Sequence, residues 1–198
     1  MGPTVIVTGA AGVGKTSILN ELKRLSEREN VRLRVVNFGT VMIGLLDSAG
    51  RRLHRDEIRK ENLAAQRNLQ IEAAKEISNM RDERVLVIDT HIFIRTPTGA
   101  FPGLPENVLR TLDPSLLVLL EAEPEDIEKR RRGNSGRVRD RQTIESVRSD
   151  LEWSRRTAAA CSVIVGVPVS IVRNEGGRQK EAARQILAII KEVKKEFV

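Results

Sequence analysis

Nine consecutive residues near the start of the chain, Thr8 to Thr16, have the composition of a phosphate-binding loop. From Gly9 onward they match the pattern G-x-x-x-x-G-K-[ST] at every fixed position. Glycines let the backbone wrap tightly, so that successive N–H groups converge on an anion. Lys15 adds positive charge for the outer phosphates, and the Thr16 hydroxyl suits Mg²⁺. The candidate phosphate-binding residues are therefore Thr8, Gly9, Ala10, Ala11, Gly12, Val13, Gly14, Lys15 and Thr16.

The segments on either side of this loop have the patterns that a phosphate site requires. The β-branched run from Val5 to Val7 predicts a buried strand, and apolar residues from Ile18 to Leu25 recur at helical spacing. A helix is therefore predicted to begin near Lys15, with the positive end of its dipole at the loop. The alternative is a glycine-rich turn without function. Such a turn would not require a strand before it and a helix after it.

Four further apolar runs predict strands at 31–36, 85–88, 116–120 and 168–172, and helical patterns separate them. The predicted fold class is α/β, a five-stranded parallel sheet with helices on both faces, which is a P-loop NTPase fold with a short lid. Residues 95–105 carry three prolines and two glycines and are predicted to form a rigid loop that binds a ligand. We expect one domain over residues 1–198.

Candidate ligand-binding residues stand at the ends of several predicted strands. Gly9, Asn37, Asp89 and Asn174 all do so, and ligands of such sheets bind beyond the carboxyl ends of the strands. Asp89 ends a buried strand and is therefore a candidate to hold Mg²⁺ through water. Its alternative role is that of a helix cap or turn former.

A stretch rich in cations, residues 129–141, lies between two predicted helices. It contains Arg130, Arg131 and Arg132, a Gly-Asn-Ser-Gly break, and then Arg137 and Arg139. Arginine forks stabilise the charge that develops in phosphoryl transfer. We therefore predict a hinged lid whose arginines face water until nucleotides bind, because unpaired cations are costly to bury. A solvated loop or an RNA-binding surface are the alternatives.

Composition excludes several other classes of function. The net charge of +7 favours anionic ligands, whether nucleotides or RNA. Cys161, the one cysteine, is predicted to be a buried structural thiol in a reducing cytoplasm, and no Cys/His metal-ligand spacing occurs. No apolar run is long enough for a membrane span, and no signal-peptide pattern is present. Residues 47–50 match D-x-x-G, but without an N-K-x-D motif we interpret them as a helix-ending turn rather than part of a GTPase.

The chain resembles the archaeal-type adenylate kinases, a branch of the P-loop nucleoside monophosphate kinases, over nearly its full length. The resemblance rests on GAAGVGKTS, NFGT, HRDEIRK, VIDTHIFIRTPTGAFPGLP, LDPSLLVLLEAEP and RNEGG. It implies transfer of a phosphoryl group from MgATP to AMP, which gives two ADP. It also implies residues 37–80 as the insertion on the AMP side, residues 129–141 as the lid, and a homo-oligomer that is commonly a trimer.

The same resemblance assigns roles to individual residues. ATP phosphates would lie on the phosphate loop, with Asn174 and Gly176 beside adenine. Catalytic roles would fall on Lys15, Asp89 and the two lid arginines, and Mg²⁺ on Thr16 and Asp89. The residues implied for AMP are Thr40, Arg59, Asp89, His91, Arg95 and Gly103. Thr40 departs from many relatives, which carry an acid or an amide there, and the arginine-rich lid aligns only loosely.

Two other functions stay open at the level of the sequence. The acceptor could be another nucleoside monophosphate or a small hydroxyl metabolite. The protein could instead be an RNA-associated P-loop ATPase whose basic loop grips backbone phosphates. Four Phe and one Trp, scattered along the chain, offer no stacking platform for single strands, so nucleic acid is not favoured as a partner.

Overall fold

The structure, a computed structural model, describes residues 1–48, 50, 63–96, 99–132 and 143–197. Within these ranges the chain forms seven strands and seven helices. The strands are β1 (Thr4–Gly9), β2 (Leu33–Asn37), β3 (Val85–Asp89), β4 (Phe93–Thr96), β5 (Gly99–Pro102), β6 (Leu116–Glu121) and β7 (Val169–Arg173). The helices are α1 (Lys15–Arg28), α2 (Phe38–Ser48), α3 (Leu63–Asn79), α4 (Glu106–Leu112), α5 (Pro124–Arg132), α6 (Ile144–Val165) and α7 (Gln179–Lys195).

Five of the strands form one parallel sheet in the order β2-β3-β1-β6-β7. The β1 strand lies at its centre, and all six of its residues are buried. The carboxyl ends of β1 and β3 adjoin each other, because Val7 pairs with Asp89. The β2 strand continues this edge through the pair Asn37 and Asp89. The sheet therefore brings the polar strand ends into one row, as predicted.

Both faces of the sheet are covered by helices, which confirms the predicted fold class. Alternate residues of the central strands divide between two cores, as the period of a strand requires. One core includes Val5 and Val7 together with residues of α1 and α7, such as Leu22 and Ile186. The other core contains Ile6 and apolar residues of α3, α4 and α6, including Ile77, Leu109 and Cys161.

The prediction of a rigid loop over residues 95–105 is wrong, because the described part of this segment contains two strands. The β4 and β5 strands form an antiparallel hairpin in which Arg95 pairs with Ala100, and α4 follows directly after it. Pro102 is tolerated in the hairpin because it ends an edge strand, where no ladder hydrogen bond requires its nitrogen. The hairpin gives Arg95 a fixed backbone next to the row of strand ends.

The Cys161 thiol is buried, as predicted. Its Sγ donates to the carbonyl oxygen of Leu104 at 3.9 Å, and burial raises the pKa of the thiol. None of the helices in the described ranges is both long enough and apolar enough to cross a membrane.

Candidate active site

The phosphate loop joins β1 to α1, and two of its glycines cannot be replaced without strain. Gly9 and Gly14 have φ angles of 153° and 96°, which side chains rarely adopt. A Cβ on Gly9 would lie 2.4 Å from the Leu120 carbonyl oxygen, and one on Gly14 would lie 2.4 Å from Asn174 Nδ2. Gly14 caps α1 without any side-chain hydrogen bond. The first N–H groups of α1 are thus free of a side-chain cap, as an anion site at a helix N-terminus requires.

Three side chains hold the outer side of the phosphate loop. Arg131 Nε donates to the Ala11 carbonyl oxygen at 2.8 Å, and Asn174 Nδ2 donates to that of Val13 at 2.7 Å. Arg130 lies 3.4 and 3.3 Å from the carbonyl oxygens of Gly12 and Val13. In a trans peptide the N–H of the next residue points opposite to the carbonyl. Fixing these carbonyls outward therefore turns the amides of Gly12 and Gly14 toward the inside of the loop.

Lys15 connects the phosphate loop to the end of β3. Its Nζ donates to the Gly9 carbonyl oxygen at 3.0 Å and lies 3.2 Å from His91 Nδ1, which accepts because the ammonium has only donors. Only 8% of Lys15 is exposed. The ammonium thus lies at the contact between the phosphate loop and the segment that leads into the β4–β5 hairpin.

The surroundings of Asp89 pair one of its two carboxylate oxygens and leave the other for a bound cation. Its Oδ2 accepts from Asn37 Nδ2 at 2.7 Å, whereas Oδ1 is buried and has no hydrogen-bond partner among the described residues. A buried polar atom without a partner is costly, and a bound ion or water removes that cost. Thr16 is exposed in the first turn of α1. No group of three His, Cys, Asp or Glu suited to a metal exists among the described residues. One carboxylate with phosphate oxygens is nevertheless the usual way to hold Mg²⁺, so these residues fit it.

Asn37 and Thr40 connect this carboxylate to α2. Asn37 Oδ1 accepts from the backbone N–H of Thr40 at 3.0 Å and from its hydroxyl at 3.1 Å. Asn37 therefore caps α2 while its amide nitrogen orients Asp89. Thr40 is exposed at this point, so a ligand beyond the strand ends could reach it.

The hairpin brings three of the predicted AMP residues to the same edge of the sheet. Gly103 packs so closely that a Cβ would lie 1.9 Å from the His91 carbonyl oxygen, and its N–H donates to Ile92 at 2.9 Å. Arg95 Nε donates to Asp150 Oδ1 at 2.6 Å. Gly103 therefore fixes the hairpin against His91, while Asp150 holds Arg95.

The remaining predicted residues divide into two groups. Asn174 is fully buried behind the phosphate loop, and the Gly176 N–H lies 3.2 Å from Asp126 Oδ2 at the start of α5. Arg59, Arg137 and Arg139 lie outside the described residues, as does most of the predicted lid.

One prediction about the lid cations is wrong. Arg131 does not face water: its side chain is 7% exposed and pairs with Asp150 Oδ2 at 3.1 Å. Arg132, by contrast, is 76% exposed. Arg131 can be buried because the buried carboxylate of Asp150 neutralises its charge. Sequence reasoning also left out Asp150, the contacts of Arg130 with the phosphate loop and the orienting role of Asn37. The signal for Asp150 was an acid within the buried stripe of a predicted helix.

Comparison with known proteins places the chain in a class. A family model described as an AAA domain matches residues 8–148. The solved shikimate kinase from Acinetobacter baumannii in complex with shikimate has a TM-score of 0.62 and 15% identity, and the match covers 96% of this chain and 93% of that one. Shikimate kinase from Bacteroides thetaiotaomicron has a TM-score of 0.59, also at 15% identity, over 97% of this chain and 99% of that one. At such identities the likeness concerns the fold alone. That fold, with its phosphate loop, is that of the P-loop kinases.

Sequence relatives then define the family. The adenylate kinase of Thermoplasma acidophilum is 40% identical over 185 residues, which are 93% of this chain and 97% of the relative. That of Methanoculleus marisnigri is 37% identical over 191 residues, 96% of this chain and 100% of the relative. The chain belongs to the adenylate kinase family in its archaeal form. The predictions of an enzyme and of an adenylate kinase are confirmed.

Proposed function

We propose that this enzyme transfers the γ-phosphoryl group of ATP reversibly to AMP, giving two ADP, with Mg²⁺ as cofactor. The observation that carries the proposal is the position of the Lys15 ammonium, 3.0 Å from Gly9 O and 3.2 Å from His91 Nδ1. One cation thereby touches both the phosphate loop and the segment that leads into the hairpin. A cation at this contact is placed to neutralise the phosphoryl group as it moves from the donor nucleotide to the acceptor nucleotide.

The donor site in this proposal is the phosphate loop. Amides from Gly9 to Thr16 bind the ATP phosphates, and the dipole of α1 favours their charge. The segment that contains Asn174 and Gly176 lies beside the adenine, while the buried Asn174 side chain is directed at the phosphate loop. Arg130, Arg131 and Asn174 act from behind by holding the loop carbonyls, so the donor meets a loop that is already shaped.

Mg²⁺ fits beside Asp89 and Thr16, the first through the buried Oδ1 that lacks a partner among the described residues. When bound, the ion neutralises charge on the donor phosphates. Asn37 keeps the carboxylate oriented by donating to its other oxygen. The chain's own contribution is therefore a carboxylate that is fixed in orientation at the end of β3.

The acceptor site in this proposal lies between α2 and the hairpin. Arg95, together with Arg59, neutralises the AMP phosphate, while Thr40, His91 and Gly103 line the site. Lys15 with Arg137 and Arg139 of the lid stabilises the charge that develops on the transferred group. Residues 37–80 are the insertion on the AMP side and residues 129–141 the lid of one domain, 1–198. Lid closure over both nucleotides would exclude water as a competing acceptor.

A coupled assay of ADP formation tests the acceptor. ATP is offered with AMP, CMP, UMP or shikimate at equal concentrations, with enzyme but no acceptor as the control for hydrolysis. AMP should be used at least about tenfold faster than the other acceptors, in line with a hydrogen-bonded site that rejects poor matches. Equal or faster use of another acceptor would mean that the enzyme serves a different substrate.

The resemblance also supports a homo-oligomer, a trimer, acting in the cytoplasm on small molecules rather than on a membrane or nucleic acid. A free buried thiol suits a reducing compartment. Light scattering coupled to size-exclusion chromatography measures the oligomeric state and should give the mass of a trimer. RNA binding that weakens steeply between low and moderate salt would contradict the claim about nucleic acid.

A further inference from the structure

Asp150 is a buried carboxylate that binds two arginines from different parts of the site. It lies on α6, only 4% exposed. Its Oδ1 accepts from Arg95 Nε at 2.6 Å, and its Oδ2 accepts from the two terminal nitrogens of Arg131 at 3.2 and 3.1 Å. A buried acid of this kind is stable only with cationic partners, so both contacts belong to the folded state.

The two arginines link this carboxylate to opposite sides of the site. Arg95 lies on the β4 strand of the hairpin, which carries the acceptor side. Arg131 lies in the last turn of α5, just before the predicted lid residues 133–141. Its Nε donates to the Ala11 carbonyl oxygen of the phosphate loop at 2.8 Å. Through Arg131, Asp150 is tied to the donor loop, and through its other oxygen it holds Arg95. The chain of contacts therefore runs from the phosphate loop to the hairpin.

The two arginines differ in what they leave open to a ligand. The Arg131 side chain is 7% exposed and encloses the carboxylate, whereas Arg95 is 48% exposed. Asp150 engages Nε and one terminal nitrogen of Arg95, which leaves the second terminal nitrogen for a phosphate.

We infer that Asp150 is a positioning residue, which presets Arg95 relative to the phosphate loop and thereby raises the affinity for the acceptor phosphate. A long arginine held in place before binding loses little rotamer freedom when the ligand arrives. The inference rests on the proposed role of Arg95 as a ligand of the AMP phosphate. It adds a residue that contacts neither nucleotide in that proposal.

Asp150→Asn keeps the shape of the side chain and removes its charge. We expect the Kd of AMP, measured by calorimetry without ATP, to rise about tenfold. In an Arg95→Gln background the same substitution should change this Kd by less than about twofold, because the contact is already lost. The matched control is Glu121→Gln, which removes another buried carboxylate, 3% exposed and paired with Arg155 at 2.5 and 2.8 Å. It should leave the Kd of AMP within about twofold.

Asp150→Asn could fail to fold, because it leaves Arg131 buried without a full counter-charge. Asp150→Asn combined with Arg131→Gln removes both buried charges and should give the same rise in the Kd of AMP. If the foldable variant binds AMP within twofold of wild type while Arg95→Gln binds it more weakly, the inference is overturned and the proposed acceptor site stands. If Arg95→Gln itself binds AMP as wild type does, the role proposed for Arg95 fails, and the inference with it. Equal losses from Asp150→Asn and Glu121→Gln would also overturn it, because they would indicate general destabilisation.

Discussion

Gly14 offers a sharp test of the geometry behind the phosphate loop. Its φ is 96°, and a Cβ there would lie 2.4 Å from Asn174 Nδ2. Asn174 cannot move aside freely, because it is fully buried and its amide donates to Val13 at 2.7 Å. We predict that Gly14→Ala destabilises the protein and raises the KM for ATP.

The size of the effect follows from two separate costs. An alanine in the left-handed region costs about 1–2 kcal/mol. Displacing Asn174 from Val13 leaves buried polar groups without a partner, which costs about 1–3 kcal/mol. The sum is about 2–5 kcal/mol. For a chain of this size a loss of about 3 kcal/mol lowers the melting temperature by about 6–12 °C.

The assay is thermal unfolding followed by circular dichroism, with chemical denaturation to give the free energy of unfolding. Gly44→Ala is the matched control, because Gly44 lies in α2 and its added Cβ has no neighbour within 4 Å among the described residues, apart from the adjacent backbone of the helix. It should stabilise the protein by up to about 1 kcal/mol. In an Asn174→Ala background Gly14→Ala should cost only its backbone strain, about 1–2 kcal/mol. A Gly14→Ala protein that melts within a degree or two of wild type would refute the close approach of Asn174 to the loop.

Three other predictions concern single side chains. Lys15→Ala should lower kcat by more than about tenfold while the melting temperature stays near that of wild type, since the ammonium acts on developing charge; a kcat above a tenth of wild type would contradict the P-loop assignment. Arg137→Lys should lower turnover by about tenfold or more, because an ammonium cannot replace a bidentate fork; unchanged turnover would exclude Arg137 from the reaction. Burial raises the pKa of the Cys161 thiol, so the folded state keeps a proton that the unfolded chain loses above about pH 8.5. The stability from this group is therefore present below that pH and lost as pH rises further, and denaturation at pH 7.5 and 9.5 should show a smaller loss in Cys161→Ala than in wild type.

The sequence was sufficient for the sheet and for the phosphate loop because both have local patterns. Five apolar runs marked the parallel strands, and the order of strand, glycine loop and helix identified the anion site. Strand ends brought Gly9, Asn37 and Asp89 together because parallel strands share one carboxyl edge. The resemblance then assigned the acceptor residues, and the structure brings His91, Arg95 and Gly103 to that edge.

The hairpin and the buried arginine could not be predicted from local patterns. Prolines and glycines at 97–103 suggested a loop, yet the short edge strand β5 contains Gly99 and Pro102 and tolerates both. Cation density around Arg131 suggested solvent, and its partner stands 19 residues further along the chain. Asp150 lies in the buried stripe with Val147, Leu151 and Ser154. An acid in such a stripe requires a cation, but the sequence does not say which one.

The central claim, transfer of a phosphoryl group between two nucleotides, can be measured directly by following the label of γ-³²P-ATP in the presence of Mg²⁺ and AMP. The account predicts that the label moves to the β-position of ADP, that two ADP form for each ATP consumed, and that AMP is required. Release of the label as inorganic phosphate at a rate independent of AMP would contradict it, because the protein would then be an ATPase without an acceptor site.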